Sequence, residues 1–373
     1  MKILFAENPG VVIQVADKHK AEVKKILEDA GVGYVKIGVP TEERRILSTR
    51  HDATYQFGID YLRDVWYSTS YLLDRKQSMN GCAKKRFENY KQQPLEFVFD
   101  KSFTGKLSQF GLDPNRRTPS GIKAAIIREK GTNGEREMAY MLYLAGFDVK
   151  DVTMTDLISG RETLEDINMV VYCGGFSNSD VLGSAKGWAG SFLFNPKAKA
   201  ALDNFYARED TLSLGVCNGC QLMMELGLIT PEDKKKGKML HNDSHKFESN
   251  FLGVTVPMNR SVMFGSLSGS KLGIWVAHGE GKFSLPYPED HYNVVLKYSY
   301  DEYPGNPNGS DYSVAGIASQ DGRHLAMMPH LERACFPWEN AYYPLDRKDE
   351  DQITPWMEAF VNARKWVEAH KKA

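Results

Sequence analysis

Long hydrophobic runs are missing from this 373-residue sequence. A helix needs about 18–20 consecutive apolar residues to cross a bilayer, and no segment approaches that length. Residues 1–6 resemble a signal peptide for only a few positions, because Glu7, Asn8 and Asp17 interrupt the apolar pattern. We therefore expect no membrane partner.

Excess charge is also absent, since 47 basic and 48 acidic residues leave a formal net charge of −1. Nucleic acids and anionic membranes are recognised through clustered positive charge, so neither is expected as a partner. Cysteine is scarce, with five residues and no disulfide-framework spacing, which predicts a reducing, cytoplasmic location. The sequence also has no Walker-type Gly-x-x-x-x-Gly-Lys-[Ser/Thr] phosphate loop, so no ATP site of that kind is expected.

Short apolar strands alternate with helical patterns from Ile122 onward. This alternation predicts an α/β fold with a doubly wound, mostly parallel sheet, in which chemistry gathers at the carboxyl ends of strands. The region from about Phe251 to Met328 is richer in strand signals and predicts an antiparallel extension. The predicted elements are strands 122–127, 148–152, 167–173, 211–216 and 325–328, and helices 135–145, 196–208 and 221–226.

Two less regular segments precede this region, which we predict to be one domain over residues 120–373. Residues 1–40 predict a partial α/β segment with strands at 11–15 and 35–37 and a helix between them. Residues 41–119 predict a helical segment and a linker. The helical segment contains an amphipathic helix whose face is formed by Leu62, Val65, Trp66, Thr69, Leu72 and Leu73.

One cysteine lies where a predicted strand turns sharply into a predicted helix. Residues 211–216 predict the strand, and Gln221–Leu226 predict the helix. Gly215 and Gly219 lie two residues before and after Cys217, and they permit the tight turn of a nucleophile elbow. Since the dipole and free N–H groups at a helix N-terminus favour a thiolate, we predict that this cysteine is a nucleophile.

A cysteine nucleophile requires a base and a group that orients the base. The strand predicted at 325–328 leads into His330 and Glu332, whose side chains point to the same side if the segment is extended. We therefore predict a triad of Cys217, His330 and Glu332.

Two glycines follow the predicted strand 167–173. Gly174 and Gly175 allow close approach of the backbone and unusual φ angles. Such a loop can present an N–H group to the oxyanion that forms when a thiolate attacks a carbonyl. We predict that this loop supplies one oxyanion donor and that the Asn218 N–H is the second.

The motifs around these residues resemble the class I (triad) glutamine amidotransferase family. Within that family they look like the carboxyl-terminal glutaminase domain of large phosphoribosylformylglycinamidine synthases. The resemblance covers residues 120–373, and residues 1–119 look like the tail of a synthetase region with a linker. It rests on Gly215-Val-Cys-Asn-Gly-Cys-Gln221, His278-Gly-Glu-Gly281, Met328-Pro-His-Leu-Glu-Arg333 and Cys173-Gly-Gly-Phe-Ser177 with Asp180–Ala189.

The resemblance implies a flavodoxin-like class I glutaminase that hydrolyses L-glutamine through a cysteine thioester and needs no cofactor. It implies that Gly175 and Asn218 are the oxyanion donors. It also implies that Gly174 and Gln221 help to hold the glutamine, and that His278 either lines the glutamine pocket or faces the synthetase interface. A synthetase region would use the released ammonia together with ATP and Mg²⁺, and it is implied as the rest of a longer polypeptide. The chain alone is therefore expected to perform only the glutaminase half of a glutamine-hydrolysing ligase reaction in purine biosynthesis.

The sequence departs from the family pattern at two places. Leu331 stands where the family has proline, so the rigidity of the segment between His330 and Glu332 is in question. Asn178 and Ser179 replace Tyr-Gly in the glycine loop. Because asparagine tolerates a left-handed conformation, we expect the turn to survive.

Other interpretations stay open from the sequence alone. Cys217-x-x-Cys220 with His241-x-x-x-His245 is compatible with zinc, but the gap between the pairs exceeds usual finger spacing, and no metal is expected. A thioredoxin-like redox role conflicts with the part that Asn218 and Gly219 play in the turn. A cysteine peptidase is the competing enzyme class, and a scaffold fragment without activity is the non-enzymatic alternative.

Overall fold

A computed structural model describes residues 7, 9–50, 53–93 and 95–371. These residues divide into two compact units, one ending at Val65 and the other beginning at Trp66. Parts of the predicted segments 1–40, 41–119 and 120–373 lie outside the described residues, and the boundaries of those three segments stay predictions.

Among its described residues, the first unit has one α-helix and one antiparallel pair of strands before a second α-helix begins. Helix α1 spans Lys20–Asp29, and none of its residues is buried. Strands β1 (Arg45–Arg50) and β2 (Ala53–Gly58) pair antiparallel. Helix α2 (Ile59–Gln77) starts in this unit and continues into the second, which confirms the predicted amphipathic helix as a helix.

Two strands predicted near the amino terminus are wrong. Residues 11–15 and 35–37 have no strand conformation. Their apolar side chains are mostly exposed, with Val11 at 89% and Val35 at 79%. Since β-branched residues favour strands mainly by packing against neighbouring strands, propensity without a partner strand does not form one here.

The second unit carries the remaining elements. None of the helices that the structure describes is both long enough and apolar enough to cross a membrane. The helices of the second unit are α3 (Cys82–Glu88), α4 (Glu135–Leu144), α5 (Met154–Ser159), α6 (Lys186–Leu193), α7 (Pro196–Ala207), α8 (Asn218–Glu225) and α9 (Trp356–His370). Its strands are β3 (Lys123–Arg128), β4 (Asp148–Thr153), β5 (Met169–Tyr172), β6 (Leu212–Val216), β7 (Lys238–Leu240), β8 (Glu248–Thr255), β9 (Lys271–His278), β10 (Lys282–Ser284), β11 (Asn293–Tyr298), β12 (Val314–Ala318) and β13 (His324–Met327).

A nine-stranded sheet organises the second unit, with strand order β4-β3-β5-β6-β13-β12-β11-β8-β9. Strands β4, β3, β5, β6 and β13 are mutually parallel, and the pairs from β13 to β9 are antiparallel. The predicted α/β class, the mostly parallel sheet and its antiparallel extension are confirmed. The central strands β5, β6, β12 and β13 are buried along their whole length, as expected for a sheet covered on both faces.

Local sequence explains where several helices begin. Asn195 caps α7, because its side-chain oxygen accepts the N–H groups of Lys197 and Ala198. Pro196 follows as the first helical residue, where its missing N–H costs nothing. Thr153 and Asp156 form a capping box at α5. These signals place the helices between the strands of the parallel half of the sheet.

Candidate active site

Three adjacent strands of the sheet end at the same place. Strands β5, β6 and β13 are neighbours and parallel, with Tyr172 opposite Gly215 and Val216 opposite Met327. Their carboxyl ends therefore lie along one edge, where functional residues of doubly wound sheets gather. The segments that leave these ends carry the Gly174–Gly175 loop, Cys217 and His330.

Cys217 occupies a strained turn between β6 and α8. Its backbone has φ 52° and ψ −105°, a conformation that side chains other than glycine adopt rarely. The turn is tight because α8 begins against the end of β5: a Cβ on Gly219 would lie 2.0 Å from the Tyr172 carbonyl oxygen. Strain of this kind at a reactive side chain is typical of a nucleophile elbow. The predicted strand, elbow and helix are all present.

The predicted base and its partner are in direct contact. His330 Nδ1 and Glu332 Oε1 are 2.7 Å apart, and both side chains are almost completely buried. Burial alone disfavours the charged imidazole, but the Glu332 carboxylate and the hydrogen bond to Cys217 outweigh it and raise the pKa of His330 to about 10. The ring is therefore protonated at neutral pH, held between a carboxylate and the thiol.

Leu331, which replaces the proline of the family pattern, supports this pair by packing. It is fully buried and begins a short 3-10 turn, Leu331–Arg333. Its carbonyl accepts from the Cys335 thiol at 3.2 Å and from the Ala334 N–H at 3.1 Å. Packing and hydrogen bonds thus hold this segment in place, as the proline of the family pattern would.

The outer edge of β9 runs along the two reactive residues. The carbonyl of Trp275 accepts the His330 N–H at 2.9 Å. Two residues further, the carbonyl of Ala277 accepts the thiol of Cys217 at 3.4 Å. The sequence did not reveal the role of Ala277, because a backbone carbonyl leaves no signal in residue type. In this structure the Cys217 thiol therefore points at a backbone carbonyl, and the Cys217 side chain is only 5% exposed.

The glycine loop after β5 approaches the elbow closely. Gly175 has φ +120°, and a Cβ there would lie 2.6 Å from the Gly131 carbonyl oxygen, so only glycine fits. Among the described residues, no acceptor is found for the Gly175 N–H. Asn218 lies in the first turn of α8, where N–H groups have no partner within the helix. A Cβ on Gly174 would lie 2.8 Å from His330 Cε1, which places this residue beside the base.

A chain of amides joins the elbow helix to the loops around it. The Asn218 side chain accepts the Ser177 N–H at 3.0 Å and donates to Gln221 Oε1 at 3.0 Å. Gln221 in turn donates to the Glu280 carbonyl at 2.8 Å. Both ends of the Gln221 amide thus have protein partners, and its role in holding glutamine stays a prediction. Sequence reasoning missed the bridging role of Glu280, although it lies within the His-Gly-Glu-Gly motif.

The loop that follows Gly175 contains consecutive left-handed residues. Asn178, Ser179 and Asp180 have φ angles of 52°, 57° and 50°. Left-handed Asn178 was expected, whereas Ser179 and Asp180 were not. Burial raises the pKa of Asp180, against the opposing effect of its hydrogen bond to Ser184. We call residues 175–185 the 175–185 loop.

His278 is the last residue of β9 and directly follows Ala277. It is 2% exposed, and its Nδ1 lies 3.2 Å from Asn242 Oδ1. Its Nε2 has no hydrogen-bond partner among the described residues. Burial, followed by the charge on His330, lowers the pKa of His278 to about 3, so the ring is neutral.

The cysteine and histidine pairs that suggested zinc do not converge on a metal site. No group of three or more His, Cys, Asp or Glu side chains able to hold a metal ion occurs in the part of the chain that the structure describes. His241 and His245 stack on each other instead, with ring centroids 5.6 Å apart. Cys220 is fully buried inside α8.

The fold and the site together define a class of α/β enzyme that uses a cysteine elbow with a His–Glu pair and a glycine loop. The model of the CobB/CobQ-like glutamine amidotransferase domain matches residues 121–367, and the chain belongs to this family. The resemblance inferred from the sequence motifs is confirmed.

Full-length relatives extend far beyond this chain. The probable phosphoribosylformylglycinamidine synthase, chloroplastic/mitochondrial, of Arabidopsis thaliana is 37% identical over 98% of this chain and 27% of its own length. The phosphoribosylformylglycinamidine synthase of Homo sapiens is 38% identical over 98% of this chain and 29% of its own length. The solved structure of PurLQS from Thermotoga maritima is 26% identical, covers 67% of this chain and 99% of that chain, and has a TM-score of 0.49. The chain thus spans less than a third of the two curated relatives.

Proposed function

We propose that this chain hydrolyses L-glutamine to glutamate and ammonia as the glutaminase part of a phosphoribosylformylglycinamidine synthase of purine biosynthesis. The observation that carries the proposal is the buried cluster of Cys217, His330 and Glu332 at the ends of the two neighbouring strands β6 and β13. The family match over residues 121–367 and the names of the relatives support it.

The reaction begins when the Cys217 sulfur, as a thiolate paired with the His330 imidazolium, attacks the side-chain carboxamide carbon of glutamine. A C–S bond forms, and the N–H groups of Gly175 and Asn218 stabilise the negative oxygen of the tetrahedral intermediate. The His330 imidazolium gives its proton to the amide nitrogen, the C–N bond breaks, and ammonia leaves a γ-glutamyl thioester. His330 then takes a proton from water as the water oxygen attacks the thioester. The C–S bond breaks, releasing glutamate and restoring the thiolate.

The second half of the proposed ligase reaction belongs to a synthetase region. There, ammonia and ATP with Mg²⁺ would convert formylglycinamide ribonucleotide to its amidine. The described residues of this chain offer no cluster of metal ligands, and the sequence has no phosphate loop, so no step of that reaction is assigned to them. The five unpaired cysteines support a cytoplasmic location as part of the proposal.

Covalent labelling tests the nucleophile and the substrate class together. A diazoketone analogue of glutamine should label the protein once, and peptide mapping by mass spectrometry should place the label on Cys217. Cys217→Ser should lower glutamine turnover by at least about four orders of magnitude, because the nucleophile and its base act as a unit. Cys82→Ser is the matched control, since Cys82 is buried away from the triad, and it should retain turnover. Hydrolysis of casein but not glutamine would favour a cysteine peptidase and contradict the proposal.

A further inference from the structure

The hydrogen bonds around Asn242 determine which nitrogen of His278 carries a proton. The Asn242 amide nitrogen donates to the carbonyls of Lys246 and His278, at 2.9 and 2.7 Å. Its oxygen accepts the Gly281 N–H at 3.0 Å. These three bonds fix the orientation of the amide, so Asn242 Oδ1 is an acceptor. His278 Nδ1, 3.2 Å from that oxygen, must therefore be the donor.

A neutral imidazole with its proton on Nδ1 carries a lone pair on Nε2. That atom is buried and has no partner in the described part of the chain. A buried polar atom left without a hydrogen bond costs about 1–3 kcal/mol, which is unusual in a well-packed interior. An acceptor in this position is free to take a hydrogen bond from a donor on a bound ligand.

The position of His278 limits which ligand group can donate a hydrogen bond to its Nε2. The preceding residue, Ala277, contacts the sulfur of Cys217 through its carbonyl. His278 also lies close enough to His330 for the imidazolium charge to lower its pKa. Of the groups on glutamine that meet the sulfur, the carboxamide oxygen is an acceptor and faces the oxyanion donors. The carboxamide nitrogen carries two N–H donors, and ammonia carries three.

We propose that His278 Nε2 accepts an N–H of the glutamine carboxamide and then of the departing ammonia. This inference rests on the proposed glutaminase function and adds a selective contact to it. The bond orients the leaving nitrogen so that its lone pair meets the proton of His330 as the C–N bond breaks. His278 keeps its own proton on Nδ1 throughout, because Asn242 holds it there.

Two substitutions separate this role from a structural one. In His278→Asn the amide nitrogen takes the place of Nδ1 and preserves the donor to Asn242, but no atom replaces Nε2. In His278→Gln the amide oxygen reaches the place of Nε2, but the donor to Asn242 is lost. If the acceptor matters, His278→Asn is the damaging change. If only the hydrogen bond to Asn242 matters, His278→Gln is the damaging change.

The experiment compares L-glutamine with L-glutamate γ-methyl ester, whose leaving group has no N–H to donate. For His278→Asn we expect kcat/KM for glutamine to fall about 10–100-fold, while that for the ester changes less than about threefold. His278→Gln should retain the amide-to-ester ratio of the unaltered protein. An unchanged ratio in His278→Asn, or a larger loss in His278→Gln, would overturn the inference alone. Failure of the unaltered protein to hydrolyse either compound would instead overturn the proposed function and the inference with it.

Discussion

At the scale of single residues, the site keeps a charged imidazole in a place where burial opposes charge. His330 is 2% exposed, and without partners it would be neutral. The Glu332 carboxylate, 2.7 Å away, reverses that tendency. The Nε of Arg333 lies 3.8 Å from the same carboxylate oxygen. Since Arg333 is partly exposed, a positive charge near the surface also interacts with the buried Glu332 carboxylate.

Glu332→Gln tests whether the carboxylate acts by its charge. The variant retains a carbonyl oxygen that can accept from His330 Nδ1, so orientation is partly preserved. Loss of the negative charge lowers the pKa of His330 by about one to three units. Glutamine turnover should fall about 10²–10⁴-fold, which is less than for Cys217→Ser.

The pH dependence of kcat/KM shows in which direction the Glu332 charge shifts the pKa of His330. The pKa of His330 is raised from 6.5 to about 10, so its protonated form persists until the pH rises through that value. The associated stability is fully present below pH 6.5 and is lost as the pH rises toward about 10. The alkaline limb of kcat/KM should therefore move to lower pH in Glu332→Gln. Glu137→Gln, which removes the carboxylate 3.6 Å from Arg333 Nε, should leave the limb in place. A limb that does not move in Glu332→Gln would contradict this account.

Residue types and spacing were enough to predict the chemistry but not the surroundings of the nucleophile. Cys217 between two glycines, and His330 two residues before Glu332, carry signals that depend only on local geometry. The contacts of Ala277, Asn242 and Glu280 depend instead on how the edge of β9 meets the catalytic segments. No local sequence pattern predicts these contacts, because they depend on the order of the strands in the sheet.

At the scale of secondary structure elements, the elbow depends on how closely α8 approaches β5. A Cβ on Gly219 would lie 2.0 Å from the carbonyl oxygen of Tyr172 and 2.6 Å from its carbonyl carbon. Both contacts are with backbone atoms of a buried strand, so no side chain can move aside. The start of α8 would have to shift, and the Asn218 N–H with it.

Gly219→Ala should therefore impair both stability and activity. We expect unfolding free energy to fall by about 1–3 kcal/mol, as for other overpacked sites. Glutamine turnover should fall by at least about 10²-fold, because the Asn218 N–H, the proposed oxyanion donor, is displaced. Gly265→Ala is the matched control, since nothing lies within 4 Å of a Cβ there. Thermal unfolding and kinetics of the two variants provide the measurement, and equal behaviour would refute the close-approach argument.

Prediction of elements succeeded where strands were buried on both faces and failed where they lacked partners. The apolar runs at β5 and β6 indicated their strands directly, since central parallel strands consist of such runs. Residues 11–15 have a similar composition but no neighbouring strand. The hairpin β1–β2 was missed because its residues are mostly exposed and include no long apolar run. Helix α9, which is buried along one face, was also missed.

At the scale of the whole molecule, the second unit exposes apolar surface that a free domain would bury. Trp66, Leu72 and Leu73 on α2 are 78%, 53% and 58% exposed, although the helix is amphipathic as predicted. In the 175–185 loop, Val181 and Leu182 are also exposed. Exposed apolar groups of this kind mark interaction surfaces. They fit the proposed synthetase region as the partner, since the curated relatives are more than three times as long as the stretch that matches this chain.

A partner that binds these surfaces should activate the glutaminase. In this structure the Cys217 side chain is only 5% exposed and its thiol donates a hydrogen bond to the Ala277 carbonyl, so we expect that the thiol must turn away from this carbonyl before it reacts with glutamine. A synthetase region that binds the rearranged state better would shift the population toward it. Adding that region from a full-length relative should raise kcat/KM for glutamine about 5–150-fold, the usual range of coupling between sites. Trp66→Ser should leave the basal rate intact and reduce the activation, because Trp66 is remote in sequence from the triad and exposed. If the added region leaves glutamine turnover unchanged at saturating concentration, the coupling is absent, and the thiol must turn away from this carbonyl by fluctuations of this chain alone.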